Sequence, residues 1–225
     1  MINLNIYTSL LFSIITQVIT GFIELFALFI NVPSKLLFLK QMLFLELFVQ
    51  FIEGFFYIYW FFNFNKFSNI TPKRYFDWAF TTPSMLTTLI FYLIFLKYKE
   101  ENTSDNLNFF ALFHQEFNTI IIIFLLNWLM LLFGYLGEVN LIPISLGVIL
   151  GFIPFLIYYY IIYTNYAILS NEGIKLFFYF FIIWSLYGVV AVLPYKIKNI
   201  CYNILDLFSK NFFGLFLSYI LFINR

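Results

Sequence analysis

The stretch Asp206-Leu-Phe-Ser-Lys210-Asn-Phe-Phe-Gly214 places a lysine in the middle of an apolar run. An ammonium group is costly in hydrocarbon, so an intramembrane lysine is expected to have a partner and a task. Asp206 lies four residues earlier, on the same face if the segment is helical. A lysine kept in a dry pocket is suited to forming a Schiff base with an aldehyde. The first expectation is therefore a covalently bound carbonyl cofactor at Lys210.

The rest of the chain shares this apolar character. Of 225 residues, 63% are hydrophobic, 25% aromatic and only 10% charged, which is too little polar surface for a soluble domain. A spanning helix needs about 20 apolar residues. Residues 1–225 thus have room for seven spans with short loops and no second domain. The expected fold is an all-α membrane protein, a seven-transmembrane-helix bundle surrounded by membrane lipids. Cys201 is the single cysteine, which excludes an internal disulfide and a multi-cysteine metal site. His114 has no ligand companions in sequence and reads as a solvated residue near a helix entrance. A net charge of +1 argues against nucleic acid as a partner. The first apolar run lacks a basic leader and a small-residue cleavage pattern, so it is expected to be a retained helix.

Clusters of charge, Asn, Pro and Gly divide the chain. They predict helices over roughly 4–30, 36–62, 71–97, 109–134, 141–167, 174–195 and 200–223. Thr71-Pro72 is a good start signal for the third. Pro83 and Pro154 fall inside helices, where they free backbone groups and permit kinks. With the N-terminus outside, Lys35, Lys40, Lys97, Lys99, Lys175 and Arg225 mark the cytoplasmic ends. Lys66, Lys73, Lys196 and Lys198 mark the other side, with Arg74 just inside helix three. This bias is too small for the positive-inside rule to fix the orientation.

Once loop charges are set aside, Glu24, Glu46, Glu53, Arg74, Asp77, Asp206 and Lys210 remain in or near apolar helices. Arg74, Asp77 and Thr81 follow each other at three and four residues and share a helix face. One reading is a set of structural ion pairs. The other is a protonated Schiff base on Lys210, stabilised by Asp77 and Asp206, with Arg74 moderating the excess negative charge. Opposite charges a few ångströms apart favour the charged form of each.

These residues resemble the microbial (type I) rhodopsins. Arg74-Tyr-Phe-Asp77-Trp78-Ala-Phe-Thr81-Thr82-Pro83 is similar to their third-helix signature, Trp184-Ser-Leu-Tyr187 to the sixth-helix pocket motif, and Asp206-Leu-Phe-Ser-Lys210 to the seventh-helix attachment motif. In detail the chain looks most like the rhodopsins of giant viruses, which would place it in a host cell membrane. The resemblance implies a photoreceptor rather than an enzyme. It implies all-trans retinal, covalently bound at Lys210 as a protonated Schiff base, with Asp77 and Asp206 as counterions. Trp78, Thr82, Met85, Met130, Gly134, Trp184 and Tyr187 would line the polyene. Thr82 and Asn127 would occupy the positions where related channels place a gating pair.

Departures from the proton-pump pattern bear on function. The position of the pump's cytoplasmic proton donor falls at Thr88, which has no titratable proton at physiological pH. Lys196 and Lys198 stand where pumps tend to place a proton-releasing acid pair. Gly188 replaces a usual proline, and Ala191 a pocket aromatic. On helix two, Glu46, Gln50, Glu53 and Tyr57 are spaced by four, three and four residues and form a polar stripe. Glu24, and Asn203 or Asn211, could face the same space. Such a stripe usually lines a water-filled cavity that attracts cations; alternatively, a protonated glutamate hydrogen-bonds a neighbouring helix. The leading expectation is a light-gated cation channel. The alternatives are a light-driven outward proton pump with Asp77 as acceptor, a sensory rhodopsin, and a retinal-free structural protein. Homo-oligomerisation is left open.

Overall fold

The computed structural model describes residues 5–224; Arg225 and residue 4, where the first helix is predicted to begin, lie outside the described residues. Among the described residues seven helical spans are long and apolar enough to cross a membrane, and no strand occurs. Helix α1 covers Ile6–Leu28, opened by a capping box between Asn5 and Thr8. Helix α2 covers Leu37–Phe62 and α3 Thr71–Glu100, with Pro72 in its first turn. A short α4 (Phe109–Gln115) leads into α5 (Phe117–Glu138), followed by α6 (Ile144–Asn165) and α7 (Asn171–Ala191). The seventh span is composite: α8 (Tyr195–Asp206), a π-helical turn over Leu207–Asn211, and α9 (Phe212–Ile223).

Several predicted boundaries move, each for a local reason. The predicted fourth helix is divided at Glu116, whose carboxylate receives the Tyr166 hydroxyl at 2.6 Å and is thereby tied to the end of α6. Gly137 is not a break. It lets α5 pack against α6, since a methyl group there would lie 3.0 Å from the Ile144 side chain. The chain turns instead at Asn140, with φ 60. Ser170 caps α7 by accepting the Gly173 N–H at 2.9 Å, which starts that helix earlier than predicted. Pro194 precedes α8, so Lys196 and Lys198 lie within a helix rather than in a turn.

The spans pack in a closed ring in chain order, with the seventh returning against α1 and α2. Helix α3 is the most enclosed. Outward faces carry exposed aromatics such as Phe22, Phe51, Phe55 and Phe62, suited to lipid. Inward faces of α1, α2 and the seventh span carry polar residues, the inverse of a water-soluble bundle. Pro83 illustrates how the backbone is kept satisfied. Proline has no N–H for the carbonyl four residues earlier, and that carbonyl, of Ala79, receives the Trp128 indole N–H at 2.9 Å.

Candidate functional site

Lys210 sits within the π turn, a local feature that recurs at functional sites in other helices. The extra residue in the turn rotates the lysine away from a simple four-residue register with Asp206. Its Nζ lies 2.7 Å from Asp77 Oδ2, 3.4 Å from Glu53 Oε1 and 3.9 Å from Asp206 Oδ1. The partner visible in the sequence is therefore the most distant of the three. Asp77 comes from the adjacent face of α3 and Glu53 from α2, and all four groups are buried. Sequence spacing identified Glu53 as part of a polar stripe but gave no sign that the stripe meets the lysine.

Asp206 is held by other groups. Its Oδ2 accepts the Tyr57 hydroxyl at 2.5 Å and Arg74 Nη1 at 3.3 Å, and its Oδ1 accepts the Tyr187 hydroxyl at 2.6 Å. Arg74 also donates to Tyr57 at 3.1 Å, to Asn199 at 3.2 Å and to Asn203. The Trp60 ring lies 5.0 Å from its guanidinium carbon. Arg74 is thus a buried hub and not one of the charges at a membrane face. Tyr57, Asn199 and Asn203 were not singled out as its partners, because only the folded ring brings α2 and α8 beside α3. Thr81 shares the Asp77 face as expected, but its hydroxyl bonds back to the Asp77 carbonyl at 3.0 Å.

Beyond Lys210, between α3, α5, α6 and α7, runs an apolar slot. Trp78, Thr82, Met85, Met130, Gly134, Trp184 and Tyr187 line it, together with Phe152 and Phe155 of α6. Small residues shape it. A methyl group at Gly134 would lie 2.7 Å from the Tyr75 hydroxyl, and one at Gly188 2.6 Å from the Phe152 ring. Gly188 therefore makes room for an α6 aromatic, a substitution legible only after folding. The indole N–H groups of Trp78 and Trp184 have no protein partner. A narrow aromatic slot closed by a single amine fits a rigid apolar aldehyde.

A sequence model of bacteriorhodopsin-like proteins matches residues 6–224. The chain belongs to this family, the microbial rhodopsins. Among solved structures, the viral rhodopsin OLPVRII is 30% identical, with 96% of each chain covered and a TM-score of 0.80. A blue light-absorbing proteorhodopsin from Med12 is 19% identical over 97% of this chain and 96% of that one, with a TM-score of 0.73. Xanthorhodopsin, a light-driven ion pump with dual chromophore, is 18% identical over 96% and 92%, with a TM-score of 0.71. The last two likenesses concern the fold alone. Comparison with curated protein sequences gives no match. This rhodopsin is an integral, multi-pass membrane protein, and members of its family bind retinal.

The remaining predicted residues of the rhodopsin fall into place unevenly. Asn127 Nδ2 donates to Thr82 Oγ1 at 2.7 Å, so the α3–α5 pair is formed. The helix-two stripe divides. Glu53 joins the lysine cluster, while Gln50 Nε2 donates to Asn211 Oδ1 at 3.0 Å. Glu46 lies beside Thr88, whose hydroxyl donates to the Ser84 carbonyl at 3.0 Å, and within electrostatic range of Glu24. Glu24 in turn abuts Gly214, where a methyl group would lie 1.8 Å from its Oε1. Asn203 and Asn211 both face α2, since Asn203 accepts the Tyr57 hydroxyl at 3.2 Å. Lys198 does not stand in an open loop; it forms a buried pair with Glu138 at 2.9 and 3.2 Å. His114 is exposed in the last turn of α4.

Proposed function

We propose that this rhodopsin is a light-gated cation channel in which all-trans retinal is held by Lys210 as a protonated Schiff base. The observation that carries the channel reading is the polar seam between α1, α2 and the seventh span. Along it Gln17, Glu24, Glu46 and Glu53 are buried and keep side-chain oxygens without protein hydrogen-bond partners. Such groups are normally satisfied by ordered water. A hydrated line of carboxylates through a bundle attracts cations and sets a path for them.

When bound, retinal supplies visible-light absorption and a light-driven change of shape. The chain's own groups supply the rest. Asp77, 2.7 Å from the lysine nitrogen, is placed to accept its proton. Asp206 is already occupied by two tyrosines and Arg74, so it is suited to remain an anion throughout. Trp184 links the slot to α7, and Tyr187 links α7 to Asp206 and Ser209. Movement of α7 thereby reaches the seventh span, which forms one wall of the seam. The Asn127–Thr82 bond ties α5 to α3 and has to hold or break as the slot changes shape.

Photocurrent measured against voltage tests this function. A channel gives a current that reverses with the imposed cation gradient. Unidirectional current without any gradient overturns the reading. A specific placement favours outward proton pumping as the second reading: Glu46, which can carry a proton, lies beside Thr88, which has no titratable one to give. On that reading Glu46 returns a proton toward Lys210, and light acidifies the medium around intact cells. Glu46→Gln would then abolish the acidification, as would a protonophore.

A further inference from the structure

Three carboxyl groups surround Lys210, but only two cations balance them. Asp77, Asp206 and Glu53 lie within 3.9 Å of Nζ, and Arg74 adjoins the group through Asp206. Every member is at most 2% exposed. An uncompensated charge in such a site is strongly unfavourable, so two cations can sustain only two anions. One carboxyl has to carry a proton.

The hydrogen bonds distinguish the three. Asp206 accepts from two tyrosine hydroxyls and a guanidinium. Asp77 accepts from the lysine itself at 2.7 Å. Neither oxygen of Glu53 receives a well-aligned hydrogen bond, and its Oε1 stands 3.4 Å from Nζ where Asp77 Oδ2 stands at 2.7 Å. The charged groups facing Glu53 are Lys210, Asp206 and Asp77, with the Tyr57 hydroxyl on its own helix.

We propose that Glu53 is a reserve counterion: it holds the surplus proton in the dark and becomes the anion opposite Lys210 when Asp77 is neutralised. This rests on the photoreceptor reading for its colour readout but not for its charge balance. Infrared spectroscopy of the retinal-free protein reads that balance directly. The wild type has a carboxylic-acid C=O band that is lost in Glu53→Gln. The same band is lost in Asp77→Asn, because Glu53 then releases its proton to solvent. A band that survives either substitution overturns the proposal.

The retinal-bound protein gives the second arm. Glu53→Gln and Asp77→Asn each leave two anions against two cations and keep a protonated, visible pigment at neutral pH. The double variant leaves one anion and shifts to the near-ultraviolet, unprotonated form. Asp77→Asn with Glu53→Asp restores the visible band, which separates loss of charge from misfolding. A double variant that stays visible, or Asp77→Asn alone turning near-ultraviolet, overturns the proposal. If the wild type forms no visible pigment with all-trans retinal, the photoreceptor reading fails and the infrared arm still decides the balance.

Discussion

On one side of Lys210, bounded by α3, α5, α6 and α7, the interior is an aromatic slot. Its Thr82 hydroxyl is engaged by Asn127, and outside its lining the Glu138 carboxylate is closed on Lys198 at both oxygens. On the other side, bounded by α1, α2 and the seventh span, Glu24, Glu53 and Gln17 leave both polar atoms of their side chains without protein hydrogen-bond partners. Burial does not explain the contrast, because both sides are buried. The slot is shaped for a ligand that brings its own apolar surface, and the seam for water and what dissolves in it. On the proposed reading one bundle keeps a pigment dry beside a line of carboxylates, with the lysine cluster as the boundary.

The two sides respond differently to substitution, and the largest effect falls on the boundary. Lys210→Ala abolishes the visible absorption band formed with added retinal; a band that persists removes the attachment site from the slot. Next comes Glu138→Gln, which leaves Lys198 buried without its counter-charge and costs roughly 3 kcal/mol. Denaturant unfolding of the purified protein measures it, and an unchanged midpoint shows that the dry side tolerates an unpaired charge after all. Gly214→Ala drives a methyl group into Glu24 and costs about 2 kcal/mol by overpacking. It should disturb photocurrent while leaving the absorption maximum in place, and a shift in colour blurs the line between the two sides. Glu46→Gln lowers cation photocurrent about tenfold, the equivalent of about 1.4 kcal/mol, again without a colour change. Asn127→Ala removes one hydrogen bond worth about 1 kcal/mol. It changes the rate at which photocurrent decays after light-off by about fivefold.

The fold was legible because seven apolar stretches of spanning length leave few alternatives, and because charges inside them stand out. Arg74, Asp77, Asp206 and Lys210 could be named for that reason alone. The break at Glu116 was hidden, since its cause is a hydroxyl on Tyr166, fifty residues away in sequence. Glu53 was legible as a member of a helix face, and helical spacing says nothing about what that face meets. Lys198 looked like a loop charge until the fold supplied Glu138. Arg74 was recognised, yet its cage of Tyr57, Asn199 and Asn203 comes from two other spans. Periodicity reports each helix separately, and the site is made of encounters between them.

The π turn at Leu207–Asn211 has a consequence for how the seventh span can vary. In an α-helix each residue advances the side chain by about 100°. One additional residue accommodated in a turn therefore sets α9 out of phase with α8 by about that angle. Asn211, Gly214 and Ser218 point into the bundle because of this offset, not because of the hydrophobic pattern upstream. A single deletion between Asp206 and Phe212 would return the span to uninterrupted α-helix without changing any residue downstream. Gly214 would then keep its place beside Glu24, whereas straightening the turn without losing a residue would swing it away by about that angle.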